Sequence, residues 1–124
     1  MSTGARRSDP RRQLGNTGED AAAAWYLARG YDVVDRNWRV REGEIDLIVR
    51  RASTLVFCEV KTRSSDRFGS PVEAVTSVKQ RRLRKLAMLW LEAHRGTRCE
   101  LRFDVASVTP GGDKPAVDVV ENAF

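Results

Sequence analysis

The fold of this chain is decided by residues 43–63, which read GEIDLIVRRASTLVFCEVKTR. Two apolar runs flank a short polar turn, and their composition is typical of two β-strands. Because successive strand side chains point to opposite faces of a sheet, Glu44 and Asp46 share one face of the first strand. By the same spacing, Glu59 and Lys61 share one face of the second strand. If the strands pair as a hairpin, three carboxylates and one ammonium group can meet in a small area.

Such a grouping needs compensation, because a charge in an apolar setting must be paired, solvated or bound to a metal. Carboxylate oxygens suit a hard divalent cation such as Mg²⁺, whose remaining ligands are usually water and substrate phosphate. A lysine beside them can orient a water molecule or offset charge that develops on a phosphoryl group. The alternative is that these residues are the solvated ends of edge strands, with Glu59 and Lys61 paired to neighbours. The acid-x-lysine pattern often occurs by chance, so the spacing alone does not decide between the two.

Length and charge limit the class of protein. A chain of 124 residues and 14.0 kDa forms one domain with a core of its own. Its 22 lysines and arginines exceed its 17 acidic residues and give a formal net charge of +5. This balance favours polyanionic partners over cationic ones, although many basic proteins bind no polyanion.

The two cysteines and the hydropathy pattern indicate the compartment. Cys58 and Cys99 lack CxxC spacing and have no cluster of histidines nearby, so we interpret them as reduced thiols. No apolar run is long enough to span a bilayer, and the N-terminus lacks the apolar segment of a signal peptide. We therefore expect a cytoplasmic location and no contact with a membrane.

The N-terminal segment differs in composition from the rest. Residues 1–14 are polar and contain four arginines. We predict a disordered basic arm over residues 1–14 and a single domain over residues 15–124. The arm either adds non-specific phosphate contacts or is a solvated tail without function.

A first helix is predicted over residues 17–29, TGEDAAAAWYLAR, with an acidic first turn and Gly30 as its stop. The residues expected to pack on the sheet are Ala21, Ala24, Trp25 and Ala28. Glu19 lies in the first turn, where a carboxylate offsets the positive end of the helix dipole.

A second long helix is predicted from about Val78 to His94, with a capping box that starts at Ser77. Its apolar face consists of Leu83, Leu86, Ala87 and Trp90. Its first two turns contain five basic residues, Lys79, Arg81, Arg82, Arg84 and Lys85. Positive charge is unfavourable at this end of a helix, so we expect an external anion such as duplex phosphate to compensate it. A solvated charged face is the alternative.

The segment between the second strand of the hairpin and this helix has turn composition. Residues 64–69 are predicted to be a loop, and Ser70-Pro71 is a helix-start signal. Arg63, Arg67 and Phe68 are candidates for contact with DNA, and an ordinary solvated connection is equally compatible with the composition.

The remaining segments complete a sheet. Strands are predicted over residues 31–40, 99–109 and 116–120, in addition to the hairpin strands 43–50 and 55–63. Asn37 and Arg39 are expected to be surface or turn residues, and Asp104 is expected to pair with a basic neighbour. The order of elements predicts an α/β sandwich in which helices flank a mixed central sheet. Its first three strands form an antiparallel meander, and a crossover helix leads to the fourth.

Residues 43–48, GEIDLI, and 57–63, FCEVKTR, are similar to the core of PD-(D/E)XK nucleases, and specifically resemble the YraN family of predicted bacterial endonucleases. The likeness extends over roughly residues 15–110. It also includes Gly18-Glu19, residues 31–37, Phe68-Gly69-Ser70-Pro71 and Lys79. The order of a helix glutamate, a strand aspartate and a glutamate-x-lysine strand resembles archaeal Holliday-junction resolvases. The resemblance implies a restriction-endonuclease-like fold.

The resemblance also implies roles for individual residues. Asp46 and Glu59, assisted by Glu19, are expected to hold one or two Mg²⁺ or Mn²⁺ ions, and Lys61 is expected to position the attacking water. Glu44 is either an outer ligand or a structural acid. The proline of the family motif is absent, since Ile45 precedes Asp46.

These observations predict a metal-dependent DNA endonuclease that hydrolyses phosphodiester bonds, with branched or structured DNA as the expected substrate. A homodimer would be useful for cutting two strands. The rival hypotheses are a non-catalytic nucleic-acid-binding module, which keeps the basic helix and needs no metal, and a subunit of a larger DNA-processing complex.

Overall fold

The computed structural model describes residues 17–63 and 75–124. Its elements are, in order, α1 (Thr17–Leu27), β1 (Asp32–Val40), β2 (Gly43–Arg51), β3 (Thr54–Thr62), α2 (Ser77–Ala93), β4 (Glu100–Thr109) and β5 (Ala116–Val120). Each of these was predicted, with boundaries that differ by at most two residues. The predicted arm at residues 1–14, the loop at residues 64–69 and the helix start at Ser70-Pro71 lie outside the described residues.

The strands form one mixed sheet in the order β1-β2-β3-β4-β5. The first three strands are an antiparallel meander. Strand β4 runs parallel to β3, as a crossover connection requires, and that connection contains α2. Strand β5 then returns antiparallel to β4. The predicted α/β sandwich with a mixed central sheet is confirmed.

Two apolar clusters cover the two faces of the sheet. Val56 and Cys58 of β3 belong to a cluster that includes Tyr26 of α1. Phe57, which lies between them in sequence, belongs to a cluster that includes Trp90 of α2. Because neighbouring strand residues alternate faces, the two helices lie on opposite sides of the sheet. Neither described helix is long and apolar enough to cross a membrane.

The predicted packing face of α1 is wrong by about one residue. Ala24 and Ala28 are exposed, whereas Ala22, Ala23 and Tyr26 are buried. A run of four alanines offers an apolar surface on every side, so its periodicity cannot define the buried face. Tyr26 fixes it instead, because its ring packs edge-on against Tyr31 and its hydroxyl donates to Asp104 at 2.6 Å.

Asp104 is fully buried and is the centre of a polar network. It accepts hydrogen bonds from Arg102 at 2.9 Å and from the backbone N–H of Asn122 at 2.9 Å, in addition to the Tyr26 hydroxyl. The predicted pairing of Asp104 with a basic neighbour is confirmed. The hydrogen bond to Asp104 raises the pKa of Arg102 above its ordinary value. Each oxygen of the buried carboxylate is therefore satisfied, as a buried charge requires.

We expect Asp104→Asn to lower the free energy of unfolding by about 3 kcal/mol, because the change leaves the Arg102 guanidinium without its charged partner. Asp118 of the adjacent strand β5 is exposed, so Asp118→Asn is the matched control and should change stability by less than about 0.5 kcal/mol. Urea unfolding of both variants measures the difference. Equal stabilities would show that the buried network does not support the fold.

Candidate functional site

The candidate site lies in a fork between β2 and β3. The two strands pair from Arg51 and Thr54 as far as Leu47 and Cys58. Beyond that point β2 stays paired with β1 as far as Gly43, the first residue of β2, and the paired strands β1 and β2 together separate from β3. We call the gap between residues 43–46 and 59–62 the fork.

The side chain of Asp46 bridges this fork. Its Oδ2 atom accepts the backbone N–H of Val60 at 2.8 Å. A side-chain carboxylate thus takes up a backbone donor of β3 beyond the paired part of the two strands. The hydrogen bond holds the carboxylate between the two strands, next to Glu59.

A cavity of ≈ 240 Å³ opens at the fork beneath α2. Its acidic lining is Glu44, Asp46 and Glu59, and its basic lining is Lys61, Lys79 and Arg82. Gly43, Leu83 and Leu86 complete the wall. The structure therefore brings together the four charged residues that the hairpin spacing had grouped, and adds two cations from α2.

Glu19 approaches the same place from α1. Its Oε1 atom is shielded from solvent, and its charge acts on Asp46. Gly18 permits this approach, because a Cβ at position 18 would overlap Oγ1 of Thr62 at the end of β3. With threonine at position 62, the first turn of α1 can therefore pack this closely on β3 only if residue 18 lacks a side chain.

Asp46 is electrostatically frustrated. Its pKa is raised from 3.8 to about 7, chiefly by burial and next by the charge of the neighbouring Glu59 carboxylate. The hydrogen bond from the Val60 N–H acts in the opposite direction, while the charges of Glu19 and Glu44 raise the pKa further. Three acidic groups thus act on Asp46 at the fork, and a bound cation would relieve this repulsion.

The two lysines of the cavity also interact. Lys61 Nζ forms an ion pair with Glu59 Oε2 at 3.1 Å. Burial is the largest single influence on Lys61 and lowers its pKa, but the hydrogen bond and charge of Glu59, with smaller contributions from Lys79 and Asp46, together hold the pKa above its ordinary value. The nearby Lys61 ammonium group lowers the pKa of Lys79. The cavity therefore presents two adjacent ammonium groups beside three carboxylates.

The donor chemistry of the fork suits Mg²⁺ or Mn²⁺, since oxygen atoms of carboxylates are the preferred ligands of hard cations. Asp46, Glu59 and Glu19 could supply them. Within residues 17–63 and 75–124, however, no group of three or more acidic, histidine or cysteine side chains is arranged to hold a metal ion. Asp46 Oδ2 accepts the Val60 N–H and Glu59 Oε2 contacts Lys61, so a cation would compete with Lys61 for Glu59.

The basic residues predicted to contact DNA, five on α2 and Arg63 after β3, have different surroundings. Lys79 and Arg82 line the cavity, whereas the guanidinium group of Arg84 lies over the rings of Phe103 and Phe124, at 4.8 and 5.5 Å from their centroids. Arg81 and Lys85 are exposed on the helix. Arg63 is half-buried, and its backbone N–H donates to Val108 at 2.8 Å.

The start of α2 differs slightly from the prediction. Thr76, not Ser77, is the N-cap, because its side chain accepts the backbone N–H of Lys79 at 3.3 Å. Both residues have a hydroxyl that can cap a helix, so the sequence does not distinguish them.

Asn37 was predicted to be a surface or turn residue, and this is wrong. It is 7% exposed, its amide donates to Glu44 at 2.9 Å, and its φ of 52° lies in the left-handed region. Asparagine inside a predicted strand is a usable signal for such a position, because its side chain tolerates left-handed backbone better than most others do.

The fold and the fork define an α/β protein with a charged cavity at the point where a hairpin leaves a mixed sheet. Comparison with known proteins identifies the family. Residues 18–108 match the model of the family described as "Uncharacterised protein family UPF0102", and the chain belongs to that family.

Similar members come from several organisms. A UPF0102 protein of Clavibacter michiganensis is 51% identical over 111 residues, which cover 89% of this chain and 94% of the relative. That of Symbiobacterium thermophilum is 48% identical over 114 residues, covering 91% and 97%. That of Geobacter metallireducens is 43% identical over 113 residues, covering 91% and 93%.

The raised pKa of Asp46 makes stability depend on pH. Between pH 4 and 7 the folded state retains a proton that the unfolded state releases, so the free energy of unfolding should fall as pH rises through this range and level off above it. The fall attributable to Asp46 is on the order of a few kcal/mol. Asp46→Asn should lack it. Urea unfolding of both proteins at pH 5 and pH 8 measures the difference, and identical pH profiles would contradict this view of the fork.

The close approach at Gly18 can be tested by a rescue. Gly18→Ala should lower the free energy of unfolding by about 1–2 kcal/mol, because the new methyl group overlaps Thr62 Oγ1. Adding Thr62→Ala removes that oxygen, and the nearest remaining atoms are Thr62 Cβ at 3.6 Å and Val60 Cγ1 at 3.7 Å. The double variant should therefore recover most of the loss in a double-mutant cycle. A purely additive cycle would mean that the two residues do not limit each other.

Proposed function

We propose that this protein is a metal-dependent DNA endonuclease of the PD-(D/E)XK type, which hydrolyses phosphodiester bonds in branched or structured DNA. The observation that carries the proposal is the convergence of Asp46, Glu59 and Lys61 in one cavity at the fork. These residues come from two strands and lie beneath a basic helix. The sandwich fold and the resemblance of residues 43–63 to that nuclease core support the same assignment.

Each residue of the cavity then has a role. Asp46 and Glu59, with Glu19, would hold one or two Mg²⁺ or Mn²⁺ ions. When bound, such an ion lowers the pKa of water and stabilises charge on the phosphate and the leaving oxygen. Lys61 orients the attacking water and offsets negative charge on the phosphate. Glu44, which Asn37 holds through a hydrogen bond of 2.9 Å, is a structural acid or an outer ligand.

The electrostatics of the fork favour this reading. A pKa of about 7 means that Asp46 is only partly ionised near neutral pH, because burial and Glu59 oppose its charge. A divalent cation would reverse that balance and favour the carboxylate. The cation would also have to displace Lys61 from Glu59, and the released ammonium group would then be available to a phosphate.

The basic residues supply contacts to the DNA backbone. Lys79 and Arg82 line the cavity and can contact a phosphate near the scissile bond. The other proposed contacts are Arg63, Arg81, Arg84 and Lys85. Such contacts release counterions, so affinity should fall steeply with salt concentration. We further propose a cytoplasmic protein that acts on two strands as a homodimer.

The proposed activity predicts a defined loss on substitution. With Mn²⁺ and linear, flapped or four-way DNA, the full-length chain should cleave at least one substrate. Asp46→Asn should weaken Mn²⁺ binding in a calorimetric titration by at least about tenfold and abolish cleavage. Glu42→Gln removes the same charge from an exposed residue just before β2 and should change neither.

Lys61→Met separates metal binding from catalysis. Because Lys61 contacts Glu59, the variant should bind Mn²⁺ at least as tightly as the natural sequence. Cleavage should nevertheless fall by at least about a hundredfold, because the group that orients water and offsets charge is lost. Absent cleavage of every DNA form by the natural sequence, or metal binding unchanged by Asp46→Asn, would reject the nuclease.

A non-catalytic nucleic-acid-binding module is the second candidate. The ion pair between Lys61 and Glu59 favours it, since this contact satisfies Glu59 without a metal. The two candidates differ in their dependence on metal. DNA binding measured by fluorescence anisotropy that is tight in EDTA, unaffected by Mn²⁺ and unaffected by Asp46→Asn would identify the module. A stable partner recovered with the chain would instead indicate a subunit of a DNA-processing complex.

A further inference from the structure

Asn37 has an unusual backbone for its place in the fold. Its φ of 52° lies in the left-handed region, which residues with a side chain rarely adopt. The other non-glycine residues of this kind in the described ranges are Ala52 and Asn122, which lie in the turn after β2 and in the turn after β5. Asn37, by contrast, lies inside β1, and the residues before and after it, Arg36 and Trp38, both pair with β2.

The side chains around Asn37 show what this conformation does. Arg36 points towards α1, because its Nη2 donates to Asp20 at 2.6 Å. Trp38, two residues later, packs in the cluster that contains α2 residues. Strict alternation would place Arg36 and Trp38 on the same face. The alternation of β1 is therefore broken at Asn37.

The neighbouring strand is broken at the same level. Ile45 belongs to the α2-side cluster and Leu47 to the α1-side cluster, although residues two positions apart in a regular strand share a face. Asp46 lies between them. The register pairs Arg36 with Leu47 and Trp38 with Ile45, which places Asn37 opposite Asp46. In both strands the side chains switch from one face of the sheet to the other at this level, and β1 and β2 remain paired across the switch.

This turn coincides with the opening of the fork. Strand β2 pairs with β3 up to Leu47, one residue before the break, and Asp46 then bonds the Val60 N–H with its side chain. A regular hairpin would direct Asp46 to one face of the sheet. The break instead directs its carboxylate along the sheet towards β3. On the outer side of the break, the Asn37 amide donates to Glu44.

We propose that Asn37 is a positioning residue: its left-handed backbone bends the β1–β2 hairpin away from β3 and thereby directs the Asp46 carboxylate into the fork. Its amide holds Glu44 at the edge of the same cavity. The significance of this arrangement for metal binding depends on the proposed function, whereas the geometric role of Asn37 does not.

The Val60 amide reports the geometry directly. It donates to Asp46, so its chemical shift and its hydrogen-exchange rate depend on where that carboxylate lies. Loss of a hydrogen bond to a charged acceptor corresponds to roughly tenfold faster exchange. Nuclear magnetic resonance of the isotope-labelled full chain in metal-free buffer can measure both quantities. Asp46→Ala provides the reference for the lost bond.

Three variants distinguish the effect of the Asn37 backbone conformation from the effect of its side-chain amide. Asn37→Gly retains easy access to positive φ and removes the amide, whereas Asn37→Ala removes the amide and also makes positive φ unfavourable. Asn122 has a φ of 54° and is exposed beyond β5, so Asn122→Ala makes the same chemical change away from the fork. The expected result is a Val60 amide that behaves as in Asp46→Ala when residue 37 is alanine. The amide should be unchanged by Asn37→Gly and by Asn122→Ala.

A Val60 amide unaffected by Asn37→Ala would overturn the proposal, as would an amide equally disturbed by Asn37→Gly. If Asn37→Ala does not fold, the glycine variant decides, because the proposal requires a folded protein with the natural Val60 amide. Mn²⁺ titration of the same proteins should show binding that the glycine variant keeps and the alanine variant loses by roughly tenfold. If the natural sequence binds no Mn²⁺, the nuclease assignment fails while the Val60 comparison still tests Asn37.

Discussion

The hydrogen bond from the Val60 N–H to Asp46 is the contact on which the candidate site depends. Beyond Leu47 and Cys58 the strands of the central hairpin part, and a side-chain carboxylate bridges the gap at 2.8 Å. A backbone donor in the interior must have an acceptor, so the opening of the sheet is tolerable only because Asp46 supplies one. The same contact fixes the Asp46 carboxylate beside Glu59. One group therefore both satisfies the Val60 N–H and contributes a carboxylate to the candidate site.

The charged groups around this contact include carboxylates that lie close to one another and lysines that lie close to one another. Burial and three neighbouring acids disfavour the ionised form of Asp46, while the proximity of Lys61 disfavours the charged form of Lys79. Neither set is fully relieved within the protein. A cation among the acids and a phosphate between the lysines would relieve both, and a metal-bound phosphodiester offers both charges at once. The fully satisfied carboxylate of Asp104 shows the contrasting arrangement, in which a buried acid needs no ligand.

Sequence patterns predicted the sheet and the composition of the site better than they predicted orientation. The alternation of Val56, Phe57 and Cys58 in β3 fixes which side chain faces which helix, because both faces are apolar. The alanine run of α1 lacked such a constraint, and its buried face was set by Tyr26 reaching Asp104, a contact 78 residues away in sequence. The role of Asn37 was not predicted, because the sequence analysis assumed that side chains alternate regularly along β1 and β2. The break that directs Asp46 into the fork depends on a backbone angle that alternation does not describe.

A crystal structure of the full chain grown with Mn²⁺ tests the central claim most directly, because anomalous scattering locates the ion without reference to activity. The expected result is an anomalous peak between Asp46 and Glu59, with Lys61 Nζ displaced from the Glu59 carboxylate. A fork in which Asp46 still bonds only Val60 and Glu59 still pairs with Lys61, with no peak between them at millimolar Mn²⁺, would contradict the proposed metal site and the nuclease built on it.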